Sequence, residues 1–479
     1  MIDRTFVTPL NPNLHGNRLQ SGSAHQKLVR ALGLPDSKAI PVLLLLHAVL
    51  GPLFLASSTL AALHMGVIAL LGIWWSALSP KTEHLTWLCA YVVGSEVLWR
   101  MVGVTIFWEF GKYSIIVFLL VVMIRTGKWN GVFLPFLFFA LLLPSSVLPT
   151  ANMDTEELRK QISFNLSGPL ALAVCTCFFW QMTFSVEQLQ RMFLALMCPI
   201  VSIASIALFG ILANAKLSFN NSSNFATSGG YGPNQVSAVL GLGALAAFLW
   251  VFNKNVTRSL KITLLVTAVV LMAQSALTFS RGGLYAAAAA AILASFYLIR
   301  DRRLRAQFAL GAVALFVIVN FLVLPQLDQF TTGALSKRFS DTRMSGRDRI
   351  IMDDLEVFNE HLLFGVGPGQ AKVYRQGHNQ AAAHTEFSRL LAEHGVFGLA
   401  ALLLMIGLAL RHFRRAHTPQ AKAIVVALTI WSFLSMASVA MRTVAPAFLF
   451  GLSAAMFLLP GQEEEQTDPS ASASDYAYR

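Results

Sequence analysis

The sequence predicts an all-α polytopic membrane protein with about 12–14 transmembrane helices and one large outer loop. Composition is the first reason. Of 479 residues, 55% are hydrophobic and 13% charged, and the mean hydropathy is +0.60, far too apolar for a soluble domain. Length is the second: mostly apolar stretches recur from Ile40 to Leu459, near the ~20 residues a helix needs to cross a hydrocarbon core. The third is charge, because basic clusters fall between alternate pairs of these stretches.

In order, spans are predicted at 39–56, 58–78, 85–107, 114–124, 131–148, 165–183, 192–213, 234–252, 262–278, 283–299, 306–325, 391–410, 423–441 and 443–459. Only Gly51-Pro52 offers a break between the first two. Residues 1–38 are polar and read as a cytoplasmic tail, with no apolar run ending in a cleavage site. Residues 39–325 then hold eleven spans and residues 391–459 three more. Between them, 326–390 is the one large extramembrane insertion, too long for a simple connector. The acidic tail 460–479 reads as disordered.

With the N-terminus inside, Lys81, Arg125, Arg191, Arg258, the run "RDRRLR" at 300–305 and Arg411, Arg414 and Arg415 all fall on the inner side. The net charge of +12 is then a topology signal and gives no reason to expect nucleic acid. Cys89, Cys175, Cys177 and Cys198 lie in apolar stretches and read as small buried hydrophobes.

This orientation places three unusual segments together outside: 220–235, the corner "SRGG" at 280–283, and 326–390. At the corner Ser280 suits an N-cap. Arg281 suits phosphate oxygens through its planar fork, and Gly282 and Gly283 would let backbone N–H groups approach an anion. The competing reading of Arg281 is a snorkelling anchor. In the loop, Arg338, Arg343, Arg347, Arg349 and Lys372 add positive charge. Ser345 would cap a helix running to about Leu362, with Ile350, Ile351, Leu355, Phe358 and Leu362 as its apolar stripe. "GVGPG" at 365–369 lacks the preceding strand of a dinucleotide site and reads as a tight loop. His384, at the start of the next helix and near arginines, is a candidate general base that those charges would hold neutral. Glu386 stands next in line for that role. His394-Gly395 reads as a helix C-cap pair. Within the spans, Glu96 and Arg100 stand at i, i+4 and can meet on one helix face, Arg100 about two turns from the outer end. No carboxylate or histidine cluster with metal-ligand spacing lies outside.

The ordered set "TFSRGG", "SGRDRI", "GVGPG" and "HTEFSRLLAEHGVFGL" resembles the O-antigen ligase and O-antigen polymerase family over roughly residues 200–440. The resemblance implies a C-type glycosyltransferase-like fold with a periplasmic loop over an outward cavity. It also implies an inverting, metal-independent transfer, without a cofactor, from an undecaprenyl-diphosphate-linked glycan donor to a glycan or lipid A-core acceptor at the bacterial inner membrane. By it, Arg281 matches the arginine contacting the diphosphate, His384 the histidine activating the acceptor, and Arg347 a recurring loop arginine. Arg100, Ser280 and Arg389 complete the candidate substrate-binding set. Thr385 follows the histidine where the family often has Asn or Gln. A transporter or flippase of lipid-linked glycans is the alternative, but the halves share no repeated motif and discontinuous-helix signals are weak.

Overall fold

The computed structural model describes residues 36–104, 106–147, 154–213, 218–219, 222–252, 256–300, 305–306, 318–341, 346–375 and 383–458. These build an all-α bundle: α1 Asp36–Ala56, α2 Ser58–Leu78, α3 Thr82–Met101, α4 Phe110–Thr126, α5 Phe133–Ala140, α6 Thr155–Trp180, α7 Val186–Ala213, α8 Pro233–Val251, α9 Arg258–Leu277 and α10 Arg281–Leu298. Short helices α11 Leu324–Phe330, α12 Ala334–Ser340, α13 Arg347–Glu360 and α14 Ala371–Tyr374 follow, then α15 Glu386–Arg415, α16 Pro419–Val439 and α17 Ala445–Leu452. Two strands, β1 Thr183–Ser185 and β2 Met456–Leu458, pair in parallel. Among the described residues nine helices are long and apolar enough to cross a membrane, so the chain is a multi-pass membrane protein.

The predicted spans differ from the helices where physics competes with hydropathy. Gly51-Pro52 does not break α1. The break comes at Ser57, whose hydroxyl caps α2 by accepting the Leu60 N–H at 3.3 Å. Gly51 serves contact instead, since a Cβ there would collide with the Ser202 carbonyl of α7. The span predicted over 85–107 ends at Met101 because Gly103 turns left-handed at φ 71°. Arg100 therefore sits in the last turn of α3, not two turns deep. The region predicted as the last span holds only the eight-residue α17 before β2. The predicted span 306–325 lies mostly outside the described residues, as do both tails, Arg343, Ser345 and His378.

Close packing of α10 explains the glycines of its corner. Gly282 and Gly283 lie inside the first turn of α10. A Cβ at Gly283 would collide with the Ser237 carbonyl of α8, and one at Gly282 would stand 2.9 Å from the Ser438 Cβ of α16. These glycines let α10 approach α8 and α16, as small residues do between membrane helices. They do not make the turn: that falls to Phe279, at φ 57°.

The segment "GVGPG" is a packing device too. The helix α15 carries a kink at Gly395, at φ 59° and ψ −138°. The kink frees carbonyls that the loop satisfies: Val366 N–H donates to Ala392 at 3.0 Å and Gly367 N–H to Glu393 at 3.0 Å. The Val396 N–H returns to the Leu362 carbonyl at 2.8 Å. His394-Gly395 thus ends the first turns of α15, as the sequence predicts. The helix α13 departs from its predicted stripe. It starts after Gly346, ends at Glu360, and buries Ile350, Asp354 and Val357, whereas Leu355 and Leu362 are exposed. The stripe is displaced because Asp354 is drawn inward by a buried ion pair with Arg375 at 2.6 Å.

Gly283→Ala should lower stability by about 1–3 kcal/mol, the scale of overpacking against an unyielding backbone. Gly407→Ala in α15, where an added methyl would meet nothing within 4 Å, should be neutral or stabilising. Thermal unfolding of the purified variants in one detergent checks both.

Candidate active site

The corner before α10 is assembled from all three segments predicted to lie outside, 220–235, 280–283 and 326–390. Thr278 ends α9, and its carbonyl accepts the Asn224 N–H at 2.9 Å. Phe279 is fully buried, stacked on Phe219 with ring centroids 5.6 Å apart. That burial accounts for its left-handed backbone: the ring is held in a hydrophobic cluster with Ala276 and Leu335. Arg338 of α12 reaches back, donating from Nε to the Phe279 carbonyl at 3.0 Å. Arg281 in turn donates from Nη1 to the Asp341 carbonyl oxygen. Ser280 occupies the N-cap position of α10 but makes no side-chain cap there. Its hydroxyl donates instead to Asn234 Oδ1 at 2.7 Å, and its carbonyl accepts from Ser237 Oγ at 2.8 Å.

His384 lies just before α15, whose N-cap is Thr385, the Thr385 hydroxyl accepting the Phe387 N–H at 3.3 Å. The imidazole is half-buried, and its Nδ1 is buried without a hydrogen-bond partner among the described residues. Burial, reinforced by the positive charges of Arg442, Arg347 and Arg375, lowers its pKa to about 4. It is therefore neutral at ordinary pH, the form that can accept a proton. Arg347 opens α13, and its pKa too is lowered, first by burial and then by Arg338, Arg281 and Arg442. No hydrogen bond or ion pair holds Arg347 among the described residues. Arg442, between α16 and α17, donates from Nη2 to the Ala383 carbonyl at 2.9 Å. The arrangement is a set of like charges around one neutral base.

The remaining candidates are placed differently. Arg389 is buried between two carboxylates, with Nη1 donating to Glu393 at 2.7 Å and to Asn165 Oδ1 at 3.1 Å, and a second ion pair to Glu386. Glu386 also accepts the Met441 N–H at 3.1 Å, so it is engaged structurally. Arg100 pairs with Glu96 at 2.7 Å, as their spacing predicts. Its Nη groups also donate to the carbonyls of Arg442 at 2.9 Å and Trp108 at 3.0 Å and to Gln235 Oε1 at 3.2 Å. His394 hydrogen-bonds Ser145 through Nδ1 and is fully buried. A cavity reaches Ala383, the residue before His384, and is lined by Phe164, Asn165, Arg375, Glu386, Arg389 and Arg442 among others. Among the described residues no group of three or more His, Cys, Asp or Glu could hold a metal ion.

Sequence reasoning missed Arg442 and Arg375. Arg442 carries the same signature as Arg281, a lone cation between two apolar stretches predicted to meet outside. Arg375 had no such signal, since its partner Asp354 lies 21 positions away.

No curated protein matches the chain. Residues 273–403 match the family model described as O-antigen ligase. The matched stretch runs from the end of α9 through α10 and the short helices to the first half of α15, and it carries Arg281, Arg347 and His384.

Proposed function

We propose that the protein is an integral membrane glycosyltransferase of the ligase or polymerase type, acting at the periplasmic face of a bacterial inner membrane. Its donor is a glycan on undecaprenyl diphosphate. Its acceptor is a hydroxyl of a lipid A-core sugar or of a growing surface polysaccharide. The observation that carries this reading is the gathering of Arg281, Arg338 and Arg442 about Arg347, which with Arg442 and Arg375 acts on a half-buried, neutral His384.

In this reading His384 takes the proton from the acceptor hydroxyl as its oxygen attacks the anomeric carbon. Attack comes from the face opposite the leaving group and inverts the centre. The bond from the anomeric carbon to the diphosphate oxygen breaks, and its electron pair stays on the diphosphate. The arginines stabilise that growing charge, and their forked donors match phosphate oxygens. They supply the positive charge without a divalent ion, so chelators should leave turnover intact. The products are the glycosylated acceptor, undecaprenyl diphosphate and a proton on His384 that passes to solvent. A lipid donor also accounts for a site built at the ends of apolar helices.

Purified protein in nanodiscs, given lipid-linked glycan and acceptor, should release undecaprenyl diphosphate; a carrier would leave that bond intact. His384→Ala should reduce turnover by ~10²–10⁴, the usual loss when a general base is removed, with donor binding nearly unchanged. Arg281→Lys should lose most activity at normal expression, because a point charge does not replace the fork. An anchoring arginine would tolerate the change.

The pH profile follows from the lowered pKa. The competent form is neutral and persists above a pKa of about 4, so kcat/KM should hold from pH 7 to pH 5 and fall only as pH drops through about 4. The limb in kcat should lie higher, since bound diphosphate favours the imidazolium. A kcat/KM limb at the ordinary histidine value would contradict the enclosed site described above.

A further inference from the structure

The backbone between α16 and α17 is held at three consecutive stations. Ala440 starts it at φ 56°, a strained conformation for a residue with a Cβ. Met441 N–H donates to Glu386 Oε2 at 3.1 Å. The Arg442 carbonyl accepts Arg100 Nη1 at 2.9 Å. Val444 N–H donates to Glu96 Oε2 at 2.7 Å. Glu96 and Arg100 pair with each other at 2.7 Å, and each is at most 5% exposed. Trp108 and Gln235 fix the Arg100 fork from two further directions. Burying such a pair is a poor way to gain stability, because desolvation offsets most of the attraction and apolar residues would serve as well. What the pair supplies is direction: one donor and one acceptor that meet a carbonyl and an N–H two residues apart.

The held segment ends in the Arg442 side chain, which donates to the Ala383 carbonyl at 2.9 Å, one residue before His384. We infer that Glu96 and Arg100 are positioning residues: from the last two turns of α3 they lock the backbone of 442–444 so that Arg442 fixes the segment carrying His384. This deepens the proposed transferase reading and rests on it. It also gives Arg100 a role other than substrate contact, since its two Nη atoms are already engaged by the protein. Charged groups reach His384 from three elements: Arg442 from this segment, Arg347 from the start of α13 and Arg375 from the end of α14.

The test reads His384 directly, apart from transfer. In the full-length protein in detergent, carbethoxylation of His384 by diethyl pyrocarbonate is followed against pH by peptide mass spectrometry, because only neutral imidazole reacts. Removing a cation in Arg442→Ala should move the midpoint to higher pH. Arg100→Lys keeps the charge beside Glu96 but loses the fork; it and Glu96→Gln should move the midpoint the same way, by letting Arg442 drift. The double variant Glu96→Gln/Arg442→Ala should move it no further than Arg442→Ala alone. Turnover of Arg100→Lys should fall about tenfold to a hundredfold, the scale of a small misplacement. A midpoint unmoved in Arg100→Lys, unmoved in Arg442→Ala, or displaced additively in the double variant would overturn the inference. Should Glu96→Gln not fold, Arg100→Lys and Arg442→Ala still decide it. Absence of glycan transfer in the wild type, with these displacements present, would reject the transferase reading and leave the clamp standing.

Discussion

Guanidinium groups brought together in a partly desolvated corner repel one another, and everything around the corner serves to hold them there. Burial and like charge oppose the protonated form of Arg347 and Arg338, and burial alone is the largest influence on Arg442. Backbone carbonyls do much of the holding: Asp341 for Arg281, Phe279 for Arg338, Ala383 for Arg442. A carbonyl orients a guanidinium while leaving its full charge in place. Arg100, Arg375 and Arg389 are held otherwise, each against a buried carboxylate.

That frame depends on close helix contact and on one kink. Gly283 lets α10 sit directly on α8, which brings the corner under Asn234 and Ser237. Gly395 bends α15, and the freed carbonyls receive residues 366 and 367. The short helices are thereby fastened to the same helix that follows His384. Asp354 strengthens the fastening, since it accepts from Arg375 and, at 2.6 Å, from Ser388 of α15.

Much of this was legible in the sequence because it follows from periodicity and from isolated charge. The helical class, the Glu96–Arg100 pair and the cap at His394-Gly395 each rest on local spacing, and each is present. So is the meeting of segments 220–235, 280–283 and 326–390 at the α10 corner. The misreadings at the site share one cause, which is that long-range contacts reassign local signals. Gly282 and Gly283 look like a ligand loop until α8 and α16 are seen against them. Ser280 looks like a cap until Asn234 takes its hydroxyl. The stripe of α13 looks apolar until Arg375 pulls Asp354 inward. Arg442 was overlooked because its meaning lies in contacts to α3 and to residue 383, far away along the chain.

Arg347 offers the most direct test of the central claim, that these arginines form an anion site which the fold holds at its own cost. It has no partner among the described residues and is surrounded by like charge. Arg347→Met keeps most of the side-chain length and removes the charge. The measurement is paired: the melting temperature of the free protein, and its affinity for undecaprenyl diphosphate. The melting temperature should equal or exceed that of wild type, because repulsion is relieved. With it, affinity should fall about tenfold to a hundredfold, the worth of a charged hydrogen bond. A variant that melts lower yet binds the diphosphate as well as wild type would place Arg347 in the scaffold and contradict the claim.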